Sequence, residues 1–157
     1  MKIPESYKQA KFLSETFNVG YSNYKSISTT PRIITLAGPC GTGKTWDACA
    51  WLNNAQSQGR TIAYMKAGDL WRYDSEDLAR AEWARCAVID DYGTKLSQGN
   101  LGRILDLVDN RMNSARRFTI LTTNILTEIR TIDERLASRL NSGCMIDYTG
   151  LPDRREG

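Results

Sequence analysis

The sequence contains no histidine. That absence excludes histidine general bases, Ser-His-Asp triads and histidine metal sites, and leaves chemistry to carboxylates, lysine, arginine, hydroxyls and a bound cation. Cysteine is sparse: Cys40, Cys49, Cys86 and Cys144 stand apart with no Cys-x-x-Cys pair, which argues against a zinc site or a disulfide framework. Cys49, Cys86 and Cys144 are expected to pack as small hydrophobes, and Cys40 to be a loop residue with no role of its own. No apolar run approaches the length of a membrane span and the N-terminus lacks a signal-peptide core, which points to the cytosol and away from membranes. A strong charge imbalance is missing too. The 21 basic residues face 18 acidic ones, for a formal net charge of +3, which does not by itself indicate nucleic acid binding. Repeats, low-complexity tracts and long linkers are absent, so the 157 residues read as one domain able to bury a core.

What is present is a phosphate-binding loop. Gly38-Pro39-Cys40-Gly41-Thr42-Gly43-Lys44-Thr45 fits Gly-x-x-x-x-Gly-Lys-Thr. The β-type run Arg32–Ala37 precedes it, and Ala48, Trp51, Leu52 and Ala55 follow at helical spacing. Glycines let backbone N–H groups converge on phosphate oxygens, and the helix start adds a favourable dipole. Gly38 to Thr45 with Trp46 are therefore the candidate nucleotide-binding residues. Lys44 is assigned to the β- and γ-phosphates of ATP, and the Thr45 hydroxyl to Mg²⁺. The structural alternative is a glycine turn that only caps a helix.

Other segments read as follows. Ser6–Phe17 is expected to be a helix with Tyr7, Ala10, Leu13 and Phe17 on one stripe, joined through a polar connection over 19–31. Strands are expected at Thr61–Met65, Cys86–Asp91, Phe118–Thr122 and Cys144–Tyr148, and helices at Ser75–Trp83, around Leu101–Met112 and over Ile132–Leu140. Alternation of this kind predicts an α/β three-layer sandwich with a five-stranded, mainly parallel sheet. Residues 1–30 form the N-terminal helix and connection, and 31–157 the nucleotide-binding domain. Ligand binds at the carboxyl ends of the strands.

Ala87-Val88-Ile89-Asp90-Asp91 is an apolar strand ending in two acids. Beside a phosphate loop, the first acid holds Mg²⁺ and the second orients or deprotonates the attacking water. Asp90 takes the first role and Asp91 the second. Ile120-Leu121-Thr122-Thr123-Asn124 ends in polar residues that can position the same water; Asn124 is the best candidate and Thr123 the next. Arg135 and Arg139 share one helical face with Glu134 and Ser138 beside them, either as a surface ion-pair face or as an arginine presented to a neighbouring subunit. From Arg103 onward every basic residue is an arginine, including Arg111, Arg116 and Arg117. Solvated helical surface accounts for most of these, although arginine also suits phosphate recognition.

In this order the four motifs resemble the AAA+ ATPases, specifically replicative helicase loaders of the DnaC type and the related IstB transposition ATPases. The resemblance covers 32–155 and rests on Gly38–Thr45, Ile89-Asp90-Asp91-Tyr92-Gly93, Leu121-Thr122-Thr123-Asn124 and Glu134-Arg135-Leu136-Ala137-Ser138-Arg139-Leu140. It implies an ATP hydrolase with Mg²⁺, with Asn124 at the sensor-1 position and Arg139 as an arginine finger acting in trans. It also implies a ring or helical hexamer that binds single-stranded DNA and acts on a replicative helicase or a transposase. Arg154 and Arg155 are similar to the arginine-bearing tail of these proteins. Many AAA+ proteins carry Asp-Glu where this chain has Asp90-Asp91, which implies slow hydrolysis. The chain leaves no room for a helical lid domain after Tyr148. The region Ala67–Ala84 is short where relatives carry a helical insertion that contacts DNA, and here Trp71, Arg72 and Tyr73 either stack on bases and touch phosphate or anchor a short helix. Competing readings are a nucleotide-gated adaptor without turnover and a small P-loop kinase; the kinase requires an arginine-rich lid, and no clear one is evident.

Overall fold

The computed structural model describes residues 2–12, 32–93, 95–114 and 116–153. Period-two alternation in the strands sorts side chains onto two faces of one sheet. β1 (Ile33–Ala37), β2 (Ile62–Lys66), β3 (Cys86–Tyr92), β4 (Phe118–Thr123) and β5 (Cys144–Asp147) lie in the order β2-β3-β4-β1-β5. All four pairings are parallel, so the sheet is wholly rather than mainly parallel. Ile33, Met65, Ile89 and Leu121 face one core, and Ile34, Leu36, Tyr64, Val88 and Ile120 face the other.

The second core is covered by α1 (Lys44–Ser57), whose Ala48, Leu52 and Ala55 are buried as their spacing predicts. The first is covered by α2 (Ser75–Trp83), α3 (Gln98–Met112), α4 (Leu126–Ile132) and α5 (Glu134–Asn141). Side-chain N-caps fix helix starts on this face, among them Asp74, which accepts from the Asp77 N–H at 2.8 Å, and Ser97, which accepts from the Asn100 N–H at 3.2 Å.

Three sequence expectations are corrected. The N-terminal helix is replaced, within the described residues, by a 3₁₀ turn at Glu5–Tyr7 followed by irregular chain. Its own N–H groups make only i to i+3 turns, with Ala10 N–H donating to Tyr7 O at 3.0 Å, and side chains of α1 donate to its carbonyls as well. Asn53 donates to Tyr7 O and Ala10 O at 3.0 Å each, and Trp46 Nε1 donates to Lys11 O at 2.7 Å. Residues 13–17, the connection over 19–31, and Arg154 and Arg155 lie outside the described residues. The helix expected over Ile132–Leu140 is found as α5, but it begins at Glu134, and Ile132 is the last residue of the separate α4. Asp133 leaves helical geometry between them and caps α5 by accepting from the Leu136 N–H at 3.1 Å. Finally, Arg111 is not solvated. It is fully buried and donates to Ala81 O, Ala84 O, Phe118 O and Thr119 Oγ1 at 2.6–2.8 Å. Burial lowers its pKa to about 10, with Arg117 adding to the effect.

Candidate functional site

The phosphate loop leaves β1 at its carboxyl end and delivers the chain into α1. Gly38 has φ +150°, and a Cβ there would sit 2.9 Å from the Tyr148 backbone, so this corner admits only glycine. Gly43, at φ 97°, precedes the helix without a side-chain cap, which leaves the first N–H groups of α1 to a ligand. Lys44 Nζ donates to Gly38 O and Pro39 O at 2.6 Å each, and Thr42 Oγ1 donates to Pro39 O at 2.8 Å. Gly38, Pro39 and Thr42 thus form the back of the loop, with Lys44 spanning it.

Asp90 is 4% exposed, and its carboxylate collects three hydroxyl donors. Thr45 Oγ1 reaches Oδ1 at 2.9 Å, Thr122 Oγ1 reaches Oδ1 at 2.6 Å, and Tyr64 OH reaches Oδ2 at 2.6 Å. Charge-assisted bonds of this length hold a buried carboxylate in one orientation. Burial pushes the Tyr64 hydroxyl well above its ordinary pKa, and the Asp90 carboxylate adds to the shift. The same two causes raise the Cys49 thiol to about 12.

Asp91 differs in every respect. It is exposed, and its φ of 63° is the one positive value at a non-glycine residue among those described. The register of β3 against β4 breaks here, with Ile89 opposite Leu121 and Tyr92 opposite Thr123. The bulge is tied down by the Asp91 N–H, which donates to Thr122 Oγ1 at 2.8 Å. Asn124 is exposed at the end of β4, with Nδ2 3.4 Å from Cys40 Sγ. Thr123 is spoken for: its hydroxyl donates to Tyr92 O at 2.8 Å and accepts from the Ile125 N–H at 3.1 Å.

These residues line one cleft of about 600 Å³. Its walls bring together Cys40, Gly41, Gly43, Lys44, Thr45, Trp46, Asp90, Asp91, Thr123 and Asn124 of the expected set. Pro4, Ser6, Tyr7, Tyr64 and Lys66 also line it and carry no signature in the sequence motifs, and Thr122, part of the Leu121–Asn124 motif but assigned no role there, lines it as well. Tyr7 meets Trp46 edge to face, with centroids 6.2 Å apart, so the N-terminal segment forms the wall beyond the loop. A second hollow of about 400 Å³ adjoins the first and shares Lys66, Asp91 and Asn124 with it. Arg139 lines neither hollow; its Nε donates to Asp109 Oδ1 on α3 at 2.6 Å. Of the aromatic pair expected at a DNA-contacting insertion, Trp71 is 63% exposed on a 3₁₀ turn, whereas Tyr73 packs on the core. Arg72 pairs with Asp69 at 3.3 Å.

A parallel sheet of order β2-β3-β4-β1-β5, with a phosphate loop after β1 and paired acids at the end of β3, defines an AAA+ P-loop nucleotide-binding domain. Residues 24–138 match the family described as IstB-like ATP-binding protein, and the chain belongs to that family. It is 30% identical over 105 residues to an insertion sequence IS1162 putative ATP-binding protein from Pseudomonas fluorescens, covering 59% of this chain and 43% of that protein. The chain spans less than half the length of the curated relatives it matches. Among solved structures, DnaI superposes with a TM-score of 0.76 at 18% identity, over 97% of this chain and 94% of that one. The DnaC helicase loader superposes with a TM-score of 0.66 at 22% identity, over 92% and 99% of the two chains. Among the described residues no helix is long and apolar enough to cross a membrane.

Proposed function

We propose that this chain hydrolyses ATP at a site completed by a neighbouring copy of itself, and uses that cycle to load a replicative helicase onto single-stranded DNA. The observation that carries the reading is the division of labour between the two acids. Asp90 is buried and fixed by Thr45, Thr122 and Tyr64, as a cation ligand should be, while Asp91 stands exposed at the cleft opposite Asn124. Thr45 Oγ1 and Asp90 Oδ1 are hard oxygen donors 2.9 Å apart, of the kind Mg²⁺ takes together with phosphate oxygens. When bound, the cation supplies charge neutralisation across the β- and γ-phosphates. Lys44 binds those phosphates, Asp91 takes a proton from the attacking water, and Asn124 orients that water.

Among the described residues no arginine lines the cleft, and its cations are Lys44 and Lys66. A phosphoryl-transfer site in this fold uses an arginine to stabilise charge on the γ-phosphate. That requirement favours a finger from outside, and Arg139 on the exposed side of α5 fills the role better than a self-contained kinase site would. A second reading, an ATP-dependent helper of a transposase, draws support from the IstB-like family match.

The test is the steady-state ATPase rate per subunit against protein concentration, with and without single-stranded DNA. The expected result is a specific rate that climbs with concentration and climbs further with DNA. A flat specific rate would mean a self-contained site and would sink the assembly reading. Lys44→Ala should abolish nucleotide binding or turnover; normal turnover in that variant would overturn the site itself.

A further inference from the structure

The end of the sheet opposite the nucleotide site carries an arginine at the start of four neighbouring strands. Arg60, Arg85, Arg117 and Arg32 stand one or two residues before β2, β3, β4 and β1, which adjoin in that spatial order. Arg116 adds a second arginine ahead of β4. Because every pairing is parallel, these starts lie together at the end away from the phosphate loop. Strand spacing makes the row about 14 Å long, three steps of about 4.8 Å.

The Cys86 thiol at the start of β3 is raised by burial and drawn back down by a Trp51 hydrogen bond and by the charges of Arg60, Arg111 and Arg85, while Arg111 is lowered by burial and by Arg117. None of the four ion pairs among the described residues involves this row. Glu82 is the acid whose charge Arg111 feels there. Two of the arginines have structural duties. Arg32 Nη1 donates to Met112 O at 2.7 Å, and Arg117 Nη1 donates to Asn110 O at 3.2 Å, which satisfies the carboxyl end of α3. Arg60, Arg85 and Arg116 are exposed, and their guanidinium groups make no hydrogen bond or ion pair among the described residues.

Beside them stands Trp83, 70% exposed at the end of α2, with the Arg117 guanidinium 4.2 Å from its ring centroid. We propose that this face binds single-stranded nucleic acid, with Arg60, Arg85 and Arg116 on successive phosphates and Trp83 stacking on an unpaired base. Planar arginine forks match phosphate oxygens two at a time, and a sequence-tolerant aromatic platform beside a basic track is how proteins hold single strands. A duplex would offer the phosphates without a free base for Trp83. An acidic polypeptide would offer carboxylates without a flat partner for the ring. The surface lies at the opposite end of the sheet from Trp71, and its use does not depend on nucleotide.

The test is fluorescence anisotropy of an end-labelled oligothymidylate of about twenty nucleotides, without nucleotide, across a salt series. The triple variant Arg60→Ala/Arg85→Ala/Arg116→Ala should bind at least about tenfold more weakly, and its log–log salt slope should be shallower by about 2, the value for three lost phosphate contacts on a single strand. Trp83→Ala should weaken binding by at least about fivefold with the salt slope unchanged, because it removes stacking and no charge. Lys44→Ala should bind the oligonucleotide as wild type does, which separates this surface from the nucleotide site. Unchanged affinity in both the triple variant and Trp83→Ala would overturn the proposal. Tighter binding of a duplex of the same length, or displacement by polyglutamate at matched charge, would overturn it too.

Discussion

Tyr64→Phe isolates one bond at the centre of the candidate site. Tyr64 lies on β2, is 6% exposed, and gives its hydroxyl to Asp90 Oδ2 at 2.6 Å. Phenylalanine keeps the ring and its packing, so the change removes a donor and opens almost no cavity. Asp90 keeps Thr45 and Thr122, both on Oδ1, and loses the donor on Oδ2. A hydrogen bond to a buried charged group contributes about 2 kcal/mol net. For a chain of this size that corresponds to a fall in Tm of about 4–8 °C. The carboxylate also gains freedom to rotate, so the Mg²⁺ concentration needed for half-maximal turnover should rise by several-fold while ATP affinity in excess Mg²⁺ changes little. Differential scanning fluorimetry supplies the first number and a magnesium titration of ATPase rate the second. If Tm and the magnesium midpoint both stay at their wild-type values, Tyr64 does not hold Asp90, and the account of this acid as a pre-oriented cation ligand fails.

Thiol titration of the folded protein should count one reactive cysteine out of four: Cys40 is exposed, whereas Cys49, Cys86 and Cys144 are buried and burial raises all three thiol pKa values. ATP should protect Cys40, and two or more fast thiols without ATP would contradict the packing around α1 and β3. Mixing Lys44→Ala with Arg139→Ala should restore ATPase activity that neither variant shows alone, since one keeps its finger and the other its site; no recovery at any ratio removes Arg139 from a neighbour's site. Arg111→Met should lower Tm by about 6–12 °C, because it strands buried carbonyls at Ala81, Ala84 and Phe118 at a cost of about 3 kcal/mol; a change under about 2 °C would show that water replaces the guanidinium. Asp91→Gly should cut turnover by at least about a hundredfold with Tm held or raised; a fall in Tm would mean that the aspartate side chain holds the bulge.

The catalytic half of the site was legible because its chemistry is local. A phosphate loop needs glycines and a lysine at fixed offsets on one turn, and the acids need only follow an apolar strand. Ser75–Trp83 was equally plain as a helix, and the structure adds the Asp74 cap at its start. What escaped notice depends on contacts across the fold. Tyr64 reads as an ordinary strand residue until β2 is placed beside β3, and Thr122 becomes a ligand holder only because β4 lies on the other side. Arg111 looks like one more surface arginine at the end of a helix until the ends of α2 and β4 close over it. The N-terminal stripe of Tyr7 and Ala10 is real burial, but the segment makes only i to i+3 turns and side chains of α1 donate to its Tyr7 and Ala10 carbonyls. α4 has seven residues and no side-chain cap, so nothing local announces it.

The substitution of aspartate for the longer acid common in AAA+ proteins gains a different meaning from the backbone. In a regular strand, adjacent side chains point to opposite faces, so Asp90 and Asp91 would be separated by the sheet. Here three residues of β3, from Ile89 to Tyr92, advance against two of β4, and the left-handed turn at Asp91 absorbs the excess. The two carboxylates therefore line the same cleft, Asp90 at its floor and Asp91 at its edge. Left-handed backbone costs a non-glycine residue about 1 kcal/mol, less for aspartate than for most. Glycine would remove that cost, whereas aspartate bears it and places a carboxylate at the cleft. The Asp91 N–H bond to Thr122 Oγ1 offsets part of the strain, and the same hydroxyl donates to Asp90. Thr122 thus couples the two acids: one oxygen accepts from the bulge and orients Asp90. The bulge, rather than side-chain length, brings the Asp91 carboxylate to the cleft, so Asp91→Gly is expected to separate stability from turnover where a substitution at Asp90 would disturb both.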